Sequence, residues 1–340
     1  MSFEKFVGQD STKRSLIRAI NGKTPHALVI TGEDGMGKTS FAMEFARGLV
    51  CEHPTENGAC DECNACKYAL GGSHPDIIYV DIDDEKGLIK VDTIRERVIG
   101  EVAISPQLAR YKVFVIEADG LNEAGQNALL KSLEEPPANV VFVLTCVDAT
   151  RLLPTVMSRL VEFKLLSYTN QEIVKVLRYS NAKLEPEERM DEDKLSFFAN
   201  FSSGVIGRAQ SLMEDKSFSR MRDEMLELCL EIRHLSYTAL LYEKYPQLEK
   251  EKASIDEVIS LMTWIYGDLC LLRKSANSPI LNEDYRQKLS QYIEKNPQVT
   301  TAKYVAAVGH LTTFSKRLES NMNFELAACD MLISLKKEFT

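Results

Sequence analysis

The chain has 340 residues, 44% of them apolar and 27% charged, a composition that suits an ordinary globular protein of two or three domains and excludes large-scale disorder. Its net charge is −9, from 41 basic and 50 acidic residues, whereas a protein that grips DNA chiefly by itself is usually basic on at least one face. No apolar run reaches the ~18 residues of a membrane span, and the opening Met-Ser-Phe-Glu-Lys-Phe has no apolar signal core, so a soluble cytoplasmic protein is expected.

The elements then follow in chain order. An apolar β-run at 26–31 leads into Gly32-Glu33-Asp34-Gly35-Met36-Gly37-Lys38-Thr39 and a helix expected at 38–50. The octapeptide matches G-x-x-x-x-G-K-[ST] in full, in the strand–loop–helix setting that the pattern requires. Gly32, Gly35 and Gly37 allow the backbone to aim successive N–H groups at phosphate oxygens. The helix N-terminus adds partial positive charge. Lys38 would reach the β- and γ-phosphates of ATP, and the Thr39 hydroxyl would hold Mg²⁺.

Next come Cys51, Cys60, Cys63 and Cys66, spaced C-x8-C-x2-C-x2-C. Two short steps bring three thiolates to one side and Cys51 closes a tetrahedron, the donor set of a structural Zn²⁺ with no open position for catalysis. His53 and His74 lie near enough to take one ligand place. The polar, Gly-rich stretch needs such a clip to fold. Lys67 is the one cationic side chain between Cys51 and Gly72, which argues for a structural or protein-docking module at 51–73. Cys146, Cys229, Cys270 and Cys329 are scattered in apolar stretches and read as buried small hydrophobes.

A strand is expected at 76–80, a helix at 91–102 and a strand at 113–116. This last ends in Glu117-Ala118-Asp119, with no adjacent acidic pair. ATP hydrolysis asks for one carboxylate on Mg²⁺ and one group orienting water, so a weak ATPase is expected, with Glu117 or Asp119 able to fill one role. A helix at 122–134 stops at Pro136-Pro137, and strands follow at 140–145 and 161–163. Strands alternating with helices imply a parallel sheet covered on both faces. Beyond Ser167, helices are expected at 169–179, 191–201 and 205–213. Further helical stretches lie near 220–245, 254–275, 283–294, 300–320 and 323–338, with breaks at Pro246, Pro279 and Pro297.

Three segments carry a family resemblance. Asn127-Ala128-Leu129-Leu130-Lys131-Ser132-Leu133-Glu134-Glu135-Pro136-Pro137 resembles the signature of bacterial DNA polymerase III clamp-loader ATPases. Ser158-Arg159 resembles the Ser-Arg-Cys motif of that family, with Leu160 in place of its cysteine, and Val7-Gly8-Gln9 resembles the segment near the adenine. The strong motifs cover residues 1–212. The resemblance implies an α/β P-loop AAA+ domain with a parallel sheet and zinc insertion at 1–166, a helical lid at 167–213 and an all-helical collar domain at 214–340. It implies an assembly with gamma/tau motor subunits and a delta subunit that loads the sliding clamp on primer-template DNA. Glu117-Ala118-Asp119 resembles the non-motor delta-prime branch, while the intact octapeptide is compatible with the ATP-hydrolysing gamma/tau branch. Arg159 would be an arginine finger donated to a neighbour's γ-phosphate; from spacing alone it is a surface arginine near the end of a short helix. Thr145 stands where the family keeps a phosphate-sensing residue, and is equally a satisfied strand-end hydroxyl. Arg208 stands where the family places a second sensor, and is equally a surface charge.

Overall fold

Strand β1 (Ala27–Thr31) is buried at every position, which is why its sequence is continuously apolar rather than alternating. The computed structural model, which describes residues 2–82 and 87–340, places it between β4 (Val140–Cys146) and β5 (Val161–Lys164), both parallel to it. Strands β2 (Ile77–Val80) and β3 (Lys112–Glu117) complete a five-stranded parallel sheet in the order β2-β3-β4-β1-β5. The central strands β1 and β4 are fully buried, while β5 at the edge is mostly exposed. Phe114 and Phe142, facing across β3 and β4, stack at 5.4 Å.

Helix α1 (Asp10–Asn21), absent from the sequence expectation, precedes β1. Helix α2 (Lys38–Val50) buries Phe41, Ala42, Phe45, Ala46 and Leu49, a spacing of three and four that makes one apolar face. The stretch 91–102 is helical as expected, but Arg95–Ile99 within it is a π turn. Asn122 caps helix Glu123–Glu134 by accepting from Gly125 N–H at 2.9 Å. The sheet and its helices form an α/β domain.

The chain packs as two compact units, one of residues Met1–Val176 with Ser202–Arg208, the other of Leu177–Phe201 with Ala209–Thr340. The second is helical throughout its regular elements. Phe197, Phe201, Phe218 and Trp264 cluster there, with ring centroids 5.1–6.4 Å apart. The single helix expected near 220–245 is instead two. Lys216–Glu231 ends, and Ser236 starts a new helical run by accepting from Ala239 N–H at 3.0 Å. Pro246 does not break that run: it sits just after the π turn Leu240–Lys244, an irregularity in the hydrogen-bond ladder of the kind that accommodates a residue without an N–H. Of the scattered cysteines, Cys146 and Cys229 are buried as expected, whereas Cys270 and Cys329 are only half-buried, because each lies at the edge of its helix's apolar stripe. No helix among the described residues is long and apolar enough to cross a membrane.

Candidate nucleotide site and cysteine cluster

The sheet delivers its functional side chains to one edge. Gly32-to-Thr39 leaves the carboxyl end of β1, and Glu117 and Thr145 are register partners at the carboxyl ends of β3 and β4. Ligands in open parallel sheets bind in that crevice. Here it is a cleft of about 310 Å³, lined among others by Gly37, Lys38, Thr39, Glu117, Thr145 and Arg151.

The loop geometry suits an anion. Gly35 and Gly37 have φ of +81° and +88°, backbone that L side chains rarely adopt. Gly37 caps α2 with no side-chain capping bond and no acidic residue in the first turn, so the helix's terminal N–H groups and partial positive charge face the cleft. Lys38 is nearly buried and pairs with its own loop, at 3.0 Å from Asp34 Oδ1 and 3.3 Å from Glu33 O. A phosphate would replace these two acceptors. The Thr39 hydroxyl donates to Glu117 Oε1 at 3.0 Å, which juxtaposes a hydroxyl and a carboxylate, the hard oxygen donors that Mg²⁺ prefers. These residues fit a nucleotide triphosphate with its cation.

The two carboxylates of Glu117-Ala118-Asp119 part company. Glu117 faces Thr39. Asp119 accepts from Val147 N–H at 2.9 and 3.1 Å and from Arg151 at 3.2 Å, so its oxygens serve the start of the loop after β4.

Arg159 does not line the cleft of its own chain. It follows the short helix Pro154–Met157. Its guanidinium donates to Glu134 Oε1 at 2.5 Å, to Ser158 Oγ at 3.1 Å and to Thr155 O. Glu134, half-exposed, is its ion partner. Arg208 is exposed in the first turn of Ile206–Glu214, one residue beyond Gly207, whose N–H donates to Gly35 O at 2.8 Å. That bond sets the start of this helix against the phosphate loop.

The cysteines converge as their spacing requires. The four Sγ atoms of Cys51, Cys60, Cys63 and Cys66 all lie within 4.8 Å of one another, with Cys51–Cys63 at 4.0 Å and Cys60–Cys66 at 3.9 Å. A tetrahedron with Zn–S bonds of ~2.3 Å has edges of ~3.8 Å, so the set could hold a metal of that size with little movement. Backbone N–H groups of Cys60, Cys63 and Cys66 point at the sulfurs of Cys51, Cys60 and Cys63, at 3.3, 3.4 and 3.4 Å, an arrangement that favours thiolates. Burial pushes the Cys51 and Cys66 thiols up; at Cys60 burial pulls the same way, but the Cys63 and Glu62 N–H donors outweigh it and bring it down to about 6. Neither His53 nor His74 joins the cluster. His74 instead accepts from Asp76 N–H through Nδ1 at 3.1 Å. Arg47 on α2 is buried between Glu44 and Asp61, and so ties the loop between Cys60 and Cys63 to the phosphate-loop helix.

Comparison with known proteins agrees with this geometry. Residues 8–169 match a family model described as "DNA polymerase III, delta subunit". The chain is 34% identical over 221 residues to DNA polymerase III subunit tau of Bacillus subtilis, covering 64% of this chain and 38% of that protein. It is 40% identical over 138 residues to DNA polymerase III subunit delta' of Pseudomonas aeruginosa, covering 40% and 42%. Residues 8–169, just under half of the chain, are thus similar to DNA polymerase III subunits. The chain spans well under two thirds of the length of either relative. Among solved structures, a gamma subunit-related protein of Thermotoga maritima covers 97% of this chain and 100% of its own, at 20% identity and a TM-score of 0.42.

The structure brings together Gly32, Gly35, Gly37, Lys38, Thr39, Glu117 and Thr145, keeps Arg208 beside the same loop, and holds Arg159 apart. It also adds residues that sequence reading passed over: Asp34 on Lys38, Arg151 on Asp119, and Tyr79, whose hydroxyl donates to Glu117 Oε1 at 2.5 Å. Tyr79 is apolar-strand material by pattern. Only the register of β2 on β3, with Tyr79 opposite Val115, reveals that it reaches Glu117.

Proposed function

We propose that this chain is a non-motor subunit of the delta-prime type in a DNA polymerase III clamp loader, one that binds nucleotide without turning it over usefully and lends Arg159 to a neighbouring motor subunit. The observation that carries this reading is the split of Glu117 from Asp119. One carboxylate stands by Thr39, and the second is spent on Val147 N–H and Arg151. Hydrolysis needs both a cation ligand and a group that orients water; Asp119 also borders the cleft, but both of its oxygens already accept hydrogen bonds.

Arg159 supports the same reading from outside the cleft. A planar guanidinium can give two hydrogen bonds to the charge that develops on a transferring phosphoryl group. In the assembly Arg159 would exchange the Glu134 carboxylate for a γ-phosphate bound by the gamma/tau subunit next to it. Residues 167–213 would be the lid over this chain's own nucleotide and 214–340 the collar that joins it to the motor and delta subunits. Arg208, at the lid's edge, would sense the γ-phosphate alongside Thr145. Zn²⁺ on Cys51, Cys60, Cys63 and Cys66 would be structural. ATP with Mg²⁺ would occupy Gly32-to-Thr39. The assembly would act on the sliding clamp at primer-template DNA, in the cytoplasm.

The alternative is a gamma/tau-type motor, which the intact Lys38 and Thr39 and the 34% identity to a tau subunit favour. Two measurements separate them. The purified chain should show little DNA-stimulated ATP hydrolysis; brisk turnover, lost on Lys38→Ala, would establish the motor. In a complex reconstituted with motor and delta subunits, Arg159→Ala should leave assembly intact and lower ATPase, with turnover at the one site it serves falling by about 10³-fold or more. Full ATPase in that complex removes the finger.

A further inference from the structure

Tyr79 is on strand β2, at the edge of the sheet and not adjacent to β1, yet its hydroxyl meets Glu117. The register explains the reach. Tyr79 pairs with Val115, so Glu117, two residues further along β3, projects from the same face as a diagonal neighbour within range of a long side chain. Glu117 is thereby held at both oxygens. Oε1 accepts from Tyr79 at 2.5 Å and from Thr39 at 3.0 Å, and Oε2 accepts from Ile82 N–H at 3.3 Å.

A glutamate has one more rotatable bond than an aspartate, and that freedom must be removed if its carboxylate is to stay beside a cation site. Tyr79 removes it. Burial, and then the Glu117 carboxylate itself, push the phenol above its ordinary range, so it remains an O–H donor at any working pH. With the Glu117 carboxylate fixed, the Thr39 O–H bond points at Glu117 and the hydroxyl's lone pairs are left for a metal ion.

We propose that Tyr79 is a positioning residue for the cation of the nucleotide site, setting the strength with which Mg²⁺ tightens nucleotide binding by locking Glu117 onto Thr39. This rests on the nucleotide reading of the phosphate loop and is separable from it. Tyr79 meets the phosphate loop at Thr39 and at Thr39's partner Glu117, the two side chains that would hold the cation, so its effect falls on the Mg²⁺-dependent part of the affinity.

The test is the binding of a fluorescent ATP analogue to the full chain, titrated once in excess Mg²⁺ and once in EDTA. Wild type should bind more tightly with Mg²⁺. Tyr79→Phe, which keeps the ring, should lose about tenfold of that gain, the size of one charge-assisted hydrogen bond, with its EDTA affinity unchanged. Glu117→Gln should lose a comparable share, and the double variant should be no worse than Glu117→Gln alone, since the phenol acts through the carboxylate. Thermal melts of each variant establish that the fold persists. Equal Mg²⁺ responses in wild type and Tyr79→Phe overturn the proposal while leaving the nucleotide site standing. Additive losses in the double variant also overturn it. If wild type binds no nucleotide in either condition, both the nucleotide reading and the Tyr79 proposal fall.

Discussion

Gly8 and Asp76 show how much a single side chain, or its absence, fixes in the unit that carries the sheet. Gly8 has φ of +64°, and a Cβ there would sit 2.6 Å from Glu172 Oε1. Glu172 is not free to swing away, because its other oxygen accepts from Thr169 N–H at 2.8 Å. Gly8→Ala should therefore destabilise the P-loop unit by about 1–3 kcal/mol, the cost of a left-handed backbone for a residue with a side chain, and a melt indistinguishable from wild type would contradict that. Asp76 is fully buried, and its carboxylate accepts the N–H groups of Gln107, Leu108 and Ala109 at 2.6–2.8 Å. Burial alone would raise its pKa; the three donors more than reverse this and hold it below the ordinary 3.8. The folded chain thus binds this proton less readily than the unfolded one. The contribution to stability is whole above the unfolded value and disappears as pH falls through the lower folded value. Asp76→Ala should cost about 2–3 kcal/mol at neutral pH, since the bonds are charge-assisted and their donors would be left buried. Urea unfolding from pH 7 to pH 3 should show the gap between wild type and variant narrowing toward the acid end, and a constant gap would mean that the carboxylate's charge is not what holds this loop.

The elements that were legible in the sequence are those that announce themselves locally. β1, β3 and β4 are continuous apolar runs because both faces of the sheet are covered, and α2 starts where the phosphate pattern ends. Helix α1 escaped notice because its apolar stripe is sparse: Leu16, Ala19 and Ile20 are its buried apolar residues, and it opens at Gln9 in a left-handed conformation without a capping side chain. The short helix Asn64–Leu70 (α3) was equally silent. It is capped by Cys63, whose side chain accepts from Cys66 N–H, so its start is made of residues of the cysteine cluster rather than of helix signals. That observation gives a prediction for the whole cysteine module. The purified chain should carry one zinc, and Cys60→Ser or exhaustive chelation should release it. With the metal gone, 51–73 should lose its order, because Ala59 and the four cysteines form its small cluster, with only alanines of α3 buried nearby in the segment, and the folding free energy of such loops comes from the metal. Hydrogen exchange should rise across α3 first and then in the last turn of α2, which Cys51 terminates and Arg47 links to Asp61. Undiminished protection in α3 after zinc removal would show that the loop folds without its clip.

At the scale of the molecule, what the sequence hid was which distant charges meet. Composition gave a nearly balanced chain, and periodicity gave the helices of the second unit, but neither pairs residue 222 with residue 284. Arg222 is 1% exposed. It forms a two-pronged ion pair with Asp284 at 2.7 and 2.8 Å, donates to Asn282 at 2.9 Å, and lies flat over Phe197 at 3.3 Å and Tyr285 at 4.2 Å. One guanidinium thereby joins helix Lys216–Glu231, helix Glu192–Phe201 and the approach to helix Arg286–Lys295. Removing one partner of a buried pair strands the other charge, which costs about 3–5 kcal/mol, and here the stacking on two rings is lost as well. Arg222→Ala should loosen the helical unit by that amount. Arg222→Lys should recover only part of it, because an ammonium cannot offer the fork or the flat face. The sheet unit holds its own core and the candidate nucleotide cleft, so any nucleotide binding should survive in Arg222→Ala while protection from hydrogen exchange falls in Glu192–Phe201 and Lys216–Glu231. If the proposed collar role is right, the same variant should also fail to enter the reconstituted complex. A variant that assembles normally with its helices deprotected would separate this unit from the ring, and one whose sheet amides exchange as fast as its helical ones would show that the two units do not fold apart.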